Sequence, residues 1–124
     1  MIYRLTVRGG FAAAHRIVGS GGKCESMHGH NFDVTLTVSG SRLGEAGILM
    51  DFGDLKKTLR EITGELDHTD LNEHPVFSGS SPSSENIARY IWERAGERLT
   101  GRGVAVDSVT VAESDSASAT YEPG

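Results

Sequence analysis

Cysteine occurs once in the 124 residues, at Cys24, so no disulfide can form within the chain. A single thiol fits a reducing compartment, and beside His and Asp residues it becomes a candidate nucleophile or base. Met1-Ile2-Tyr3-Arg4 carries neither the basic segment nor the apolar stretch of a secretion signal, which gives the expectation of a cytoplasmic protein. No apolar run approaches the roughly 20 residues that cross a bilayer, so no membrane partner is expected. Basic residues are outnumbered 12 to 17, for a net charge of -5, and they are scattered. Phosphate backbones need clustered cations, which argues against a nucleic-acid partner, although two or three local cations suffice for a small anion. The Gly-x-Gly-x-x-Gly fingerprint is missing, so no nicotinamide cofactor is expected. What remains is an ordinary globular composition, 37% hydrophobic and 23% charged, at a length that predicts one domain over residues 1–124.

Against these absences stands Cys24-Glu25-Ser26-Met27-His28-Gly29-His30-Asn31, with one thiol and two imidazoles inside seven residues. It leads into Phe32-Asp33-Val34-Thr35-Leu36-Thr37-Val38, whose alternation predicts a half-buried strand. If that strand begins at or before His28, a side-chain period of two sends His28 and His30 to one face. Zinc suits such a pair, and a catalytic zinc takes three protein ligands and keeps a fourth position open. The best third candidate is His15, at the end of Phe11-Ala12-Ala13-Ala14-His15, because two neighbouring antiparallel strands would present all three imidazoles together. For an isolated His-x-His, surface or hydrogen-bonded structural histidines are the commoner case, and Gly29 and Cys24 alone do not decide between the two.

Along the chain, residues 2–8 predict a strand by β-branched and aromatic content, with a bulge or kink at Gly9-Gly10 before it resumes at Phe11. Gly19 to Lys23 reads as a flexible loop that delivers Cys24. Asp51 offers an N-cap to an amphipathic helix with Phe52, Leu55, Leu59, Ile62 and Leu66 on its apolar stripe. Asp67-His68-Thr69-Asp70-Leu71-Asn72 follows as a polar cluster, for which a buried structural histidine is the bland reading. Pro82-Ser83-Ser84-Glu85-Asn86 starts a second helix, with Ile87, Ile91, Ala95 and Leu99 as its stripe and Gly101 and Gly103 ending it. Val104 to Glu113 and Ala117 to Tyr121 read as two further strands. The order ββααββ predicts an α+β fold, a four-stranded antiparallel sheet with two helices on one face, and exposed sheet edges suited to oligomerisation.

The motifs Phe11-x-Ala-Ala-His15, Cys24-x-x-x-His28-Gly-His30-Asn31, Met50-Asp51-Phe52-x-x-Leu55-Lys56, Leu66-Asp67-His68-x-x-Leu71-Asn72, Pro82-Ser83-Ser84-Glu85-Asn86-Ile87-Ala88 and Val111-x-Glu113-Ser114 occur in this order. Through them the sequence resembles the 6-pyruvoyl-tetrahydropterin synthase / 6-carboxy-tetrahydropterin synthase family nearly end to end. Ser83 stands where the family often has Thr, which keeps the hydroxyl.

The resemblance implies the T-fold, in which the sheets of several subunits join into a barrel, here a homo-oligomer (a hexamer) with active sites between subunits. It implies Zn2+ at His15, His28 and His30, proton transfer by Cys24, Asp67 and His68, and substrate binding at Glu113, Ser84 and Glu85. A carboxylate at Glu113 has its own rationale, since it can accept two parallel N–H bonds from an amino-pyrimidinone edge. The implied substrate is 7,8-dihydroneopterin triphosphate. The favoured product is 6-carboxy-5,6,7,8-tetrahydropterin, with acetaldehyde and triphosphate released, on the route to queuosine and other 7-deazapurines. The alternatives are a 6-pyruvoyl product, a bifunctional enzyme that also forms a hydroxymethyl pterin through Glu25 as base, and a pterin-binding T-fold protein without chemistry.

Overall fold

The computed structural model describes residues 1–19, 21, 22 and 26–124, so Cys24 and Glu25 lie outside the described residues. Strand β1 (Tyr3–His15) and strand β2 (His28–Gly40) pair antiparallel in one unbroken register, from Tyr3 opposite Gly40 to His15 opposite His28. The expected alternation holds: Val7, Phe11, Ala13 and His15 on β1, and Phe32, Val34, Leu36 and Val38 on β2, are buried on one face.

Gly9 and Gly10 do not form the expected bulge, because they pair in register with Val34 and Asp33. They are small for a packing reason. A Cβ on Gly10 would stand 2.7 Å from the Phe32 carbonyl oxygen, and one on Gly9 would stand 3.2 Å from Leu59 Cδ2. The register shifts fall elsewhere, at Thr37/Val38 between β2 and β4 (Ala105–Ser114), and at Ala112/Ser114 between β4 and β5 (Ala117–Tyr121).

Helix α1 (Phe52–Leu66) begins at Asp51, whose side chain accepts from the Asp54 amide at 3.2 Å. Leu55, Leu59, Ile62 and Leu66 are buried, whereas Phe52 is 55% exposed and leaves the expected stripe. At about 100° per residue it sits roughly 50° from the stripe's centre, at the very start of the helix. Helix α2 (Ser84–Arg98) is capped by the Ser83 hydroxyl, which accepts from the Asn86 amide at 3.2 Å, and buries Ile87, Ala88, Ile91 and Ala95. Gly101 and Gly103 follow at φ of 81° and 78°, conformations that stop a helix at little cost only for glycine.

The sheet order is β3-β1-β2-β4-β5. The four expected strands are joined by a two-residue fifth, β3 (Thr69–Asp70), which runs parallel to β1 at Ala13 and Ala14. Both helices cover the same face, α1 over β1 and α2 over β4 and β5, and the core fills the space between. Tyr90 on α2 donates to Glu65 on α1 at 2.7 Å, with Arg94 and Arg98 reaching the same carboxylate. Burial alone would raise the Glu65 pKa, but the Tyr90 hydroxyl and the Arg94 and Arg98 charges outweigh it and hold the carboxyl below its ordinary value. No described helix is long and apolar enough to cross a membrane.

Candidate metal centre

The end of the β1–β2 ladder sets the site. His15 pairs with His28 and Ala13 with His30, so two residues' advance along each strand returns to the same face, and that face is the one the helices cover. One ligand atom from each of His15, His28 and His30 lies within 4.8 Å of the others. The three rings meet edge-on, with centroids 4.5 to 5.2 Å apart. Phe32 closes the floor, its ring 5.3 Å from His15 and 5.4 Å from His30.

Hydrogen bonds decide which nitrogen each ring offers. His15 Nδ1 lies 2.7 Å from the Pro82 carbonyl and His28 Nδ1 lies 2.7 Å from the Ser26 carbonyl. A carbonyl only accepts, so both Nδ1 atoms carry the proton and both Nε2 atoms present a lone pair. Among the described residues, His15 Nε2 and His30 Nε2 are buried with no hydrogen-bond partner. Leaving a buried polar atom unpaired costs about 1–3 kcal/mol, and a metal ion bound to these lone pairs would remove that cost. Burial lowers the His30 pKa, and the two neighbouring imidazoles add to the fall while Glu113 opposes it, so the ring favours the neutral form that ligates. Three imidazoles, two of them oriented by backbone carbonyls, are a donor set that fits a divalent cation.

Glu113, at the end of β4, stands beside this cluster. Its Oε1 is 3.7 Å from His15 Nε2 and its Oε2 is 3.9 Å from His30 Nε2. The Ser84 hydroxyl donates to Oε1 at 2.7 Å. Ser84, Glu85 and Glu113 line one hollow of about 200 Å³ with residues 117–119 of β5. Three residues that the sequence places on a helix start and a strand end thus share one wall.

Asp67 and His68 are placed differently. The Ala12 amide donates to Asp67 Oδ1 at 2.9 Å, and His68 Nδ1 lies 2.9 Å from Asp67 Oδ2. The Ala12 bond, followed by the His68 bond, holds the Asp67 carboxyl below its ordinary pKa. The His68 side chain is 82% exposed and its φ is +58°, so it is not the buried structural histidine of the bland reading. A positive φ at a residue other than glycine is uncommon and recurs at functional sites. Among the described residues, no hydrogen bond, ion pair or ring contact joins His68 to the three-histidine cluster. It borders a cleft with Ala12, Ala14, Asn31, Thr69 and Asp70, and His30 of the cluster lines the same cleft.

Residue pattern gives no sign of the Pro82 and Ser26 carbonyls that fix the imidazole tautomers, because a backbone acceptor carries no residue identity.

The profile of the family described as 6-pyruvoyl tetrahydropterin synthase matches residues 4–124. The chain is 42% identical over 105 residues to an Archaeoglobus fulgidus protein provisionally named 6-carboxy-5,6,7,8-tetrahydropterin synthase, covering 85% of this chain and 83% of the relative. It is 40% identical over 87 residues to the 6-carboxy-5,6,7,8-tetrahydropterin synthase of Bacillus subtilis, covering 66% of this chain and 58% of that relative, less than two thirds of its length. In structure it is similar to the 6-pyruvoyl tetrahydropterin synthase of Caenorhabditis elegans, with a TM-score of 0.88 at 25% identity over 100% of this chain and 97% of the other.

Proposed function

The chain belongs to the 6-pyruvoyl tetrahydropterin synthase family, whose members are pterin lyases, and on that premise we propose that it converts 7,8-dihydroneopterin triphosphate to 6-carboxy-5,6,7,8-tetrahydropterin. Water is taken up, and acetaldehyde and triphosphate are released. The observation that carries this reading is the convergence of three histidines, two with unpartnered Nε2 atoms, beside a carboxylate already oriented by a serine. The names borne by the Archaeoglobus and Bacillus relatives favour the carboxy product, which suits 7-deazapurine synthesis. Product analysis tests it.

His15, His28 and His30 would hold Zn2+, which supplies Lewis acidity to an oxygen of the substrate side chain and so acidifies the neighbouring C–H. Glu113 would accept the N–H groups of the pterin's amino-pyrimidinone edge, with Ser84 holding the carboxylate in place and Glu85 on the same wall. Cys24, as thiolate, would remove the proton from carbon. His68 would exchange protons with the substrate, its Nδ1 fixed by Asp67 so that Nε2 faces outward.

Glu113→Gln is expected to weaken pterin binding about ten- to hundredfold, because an amide nitrogen replaces one acceptor opposite ring N–H donors. Bound metal should stay near its normal level, since the ligand set is intact. Fluorescence titration with a pterin and metal analysis on the same sample read both, and an unchanged pterin affinity would remove Glu113 from the anchoring role.

The exposed Asp67–His68 pair supports an active site completed by a second copy. His28→Ala and His68→Ala, each inactive alone, are expected to regain turnover when mixed and reassembled at equal amounts. The ceiling is about a quarter of the wild-type rate, the share of interfaces that combine an intact cluster with an intact pair. A mixture as inactive as its components would place both groups in one chain's own site.

A further inference from the structure

Next to the three-histidine cluster lies a cavity of about 550 Å³ bordered by Arg16, Asn72, Ser78, Ser80, Ser81 and Pro82. Both of its walls are tied to His15. Arg16 follows it in sequence, and the Pro82 carbonyl accepts from its Nδ1 at 2.7 Å. The rest of the frame is fixed as well. Asn72 bonds the Arg16 backbone twice, accepting from its amide at 2.8 Å and donating to its carbonyl at 3.0 Å, and Asn86 donates to the Ser81 carbonyl at 2.8 Å.

Apart from Val18 and Phe77 the lining is largely polar, and its charge among the described residues is of one sign. In a chain with 17 acidic and 12 basic residues, no Asp or Glu among the described residues borders this cavity, whereas acids border each of the other four described cavities. Arg16 is exposed and enters no ion pair among the described residues. Among the described residues, the Ser81 hydroxyl is buried with no hydrogen-bond partner. A guanidinium with no carboxylate among the described residues to neutralise it, beside three hydroxyls, is a set of donors suited to phosphate oxygens.

We propose that this cavity holds the oligophosphate tail of the substrate, with Arg16 as its charged anchor and Ser78, Ser80 and Ser81 as hydroxyl donors. The assignment rests on the reading of the substrate as a dihydroneopterin triphosphate. It gives the site a direction: the carboxylate of Glu113 takes the N–H edge at one end, the histidine cluster lies in the middle, and the phosphates extend past His15 into the Arg16 cavity.

The test titrates the metal-loaded protein with inorganic triphosphate by calorimetry, with bound metal measured before and after. Arg16→Gln, at an exposed position, should fold normally and weaken triphosphate binding about ten- to hundredfold, the usual loss for charge-assisted hydrogen bonds. The Ser80→Ala/Ser81→Ala double variant should weaken it less, and higher salt should weaken wild type more than Arg16→Gln. In turnover, Arg16→Gln should raise KM for the triphosphate substrate while kcat holds, the signature of binding lost equally from ground and transition states. No binding by wild type, or equal binding by wild type and Arg16→Gln, overturns the proposal. Binding that depends on Arg16 but does not compete with the substrate would make the cavity a site for a free anion and overturn its assignment to the tail. The titration needs no turnover, so it stands or falls separately from the proposed reaction.

Discussion

His28→Ala is expected to lose bound zinc and turnover together, with turnover falling below detection. His28 is only partly buried and its ring faces the cluster from the open end of β2, so removing it deletes a ligand without opening the core. His15 would be a poorer probe, because it is fully buried and its Nδ1 holds the start of α2 through Pro82. Even the groups that orient a ligand commonly cost 10- to 100-fold when removed, and a ligand itself carries more than its orienter. Metal analysis alongside activity separates the cases. Stoichiometric zinc retained by His28→Ala would show that the cluster is not the metal site.

The second large effect is expected at Cys24. Cys24→Ala should lower formation of the carboxy pterin by about 10²–10⁴-fold, the usual cost of a proton-transfer step. A cysteine thiol, with an ordinary pKa of about 8.5 that a cation can lower, reaches the thiolate near neutral pH, whereas a carboxylate with an ordinary pKa of about 4.3 is a weak base there. Glu25→Ala should therefore cost less for that product, and Cys24→Ala can leave side-chain cleavage to a hydroxymethyl pterin through Glu25. Rates of each product from the two variants decide it. If Glu25→Ala were the more damaging for the carboxy pterin, the two roles would be exchanged.

The histidine cluster was legible because strand geometry is short-ranged. A period of two puts His28 and His30 on one face whatever the partner, and one further fact, the antiparallel register that ends at His15 and His28, supplies the third ring. The two helices were legible by the same logic, from the spacing of Leu55, Leu59, Ile62 and Leu66 and from the serine cap at Ser83.

What escaped depends on contacts that no local pattern records. β3 is two residues long and rests on amides of His68 and Leu71 donating to the Ala12 and Ala14 carbonyls at 2.6 and 2.9 Å. Gly9 and Gly10 read as a bulge by type, and only the approach of Leu59 and the Phe32 carbonyl shows that they are small to fit. Phe52 carries the right hydrophobicity at the edge of the right stripe, yet it stays exposed beside a cavity that it shares with Tyr3 and Leu5 of β1. The exposure of His68 follows from its left-handed backbone and from its bond to Asp67, neither of which spacing encodes.

The most direct measurement is product analysis after incubating the zinc-loaded protein with 7,8-dihydroneopterin triphosphate. The account predicts 6-carboxy-5,6,7,8-tetrahydropterin with matching amounts of acetaldehyde and triphosphate, and none of these products from His28→Ala. A 6-pyruvoyl or hydroxymethyl pterin as the main product would contradict the carboxy assignment, and unchanged substrate beside intact, zinc-loaded protein would contradict the catalytic reading itself.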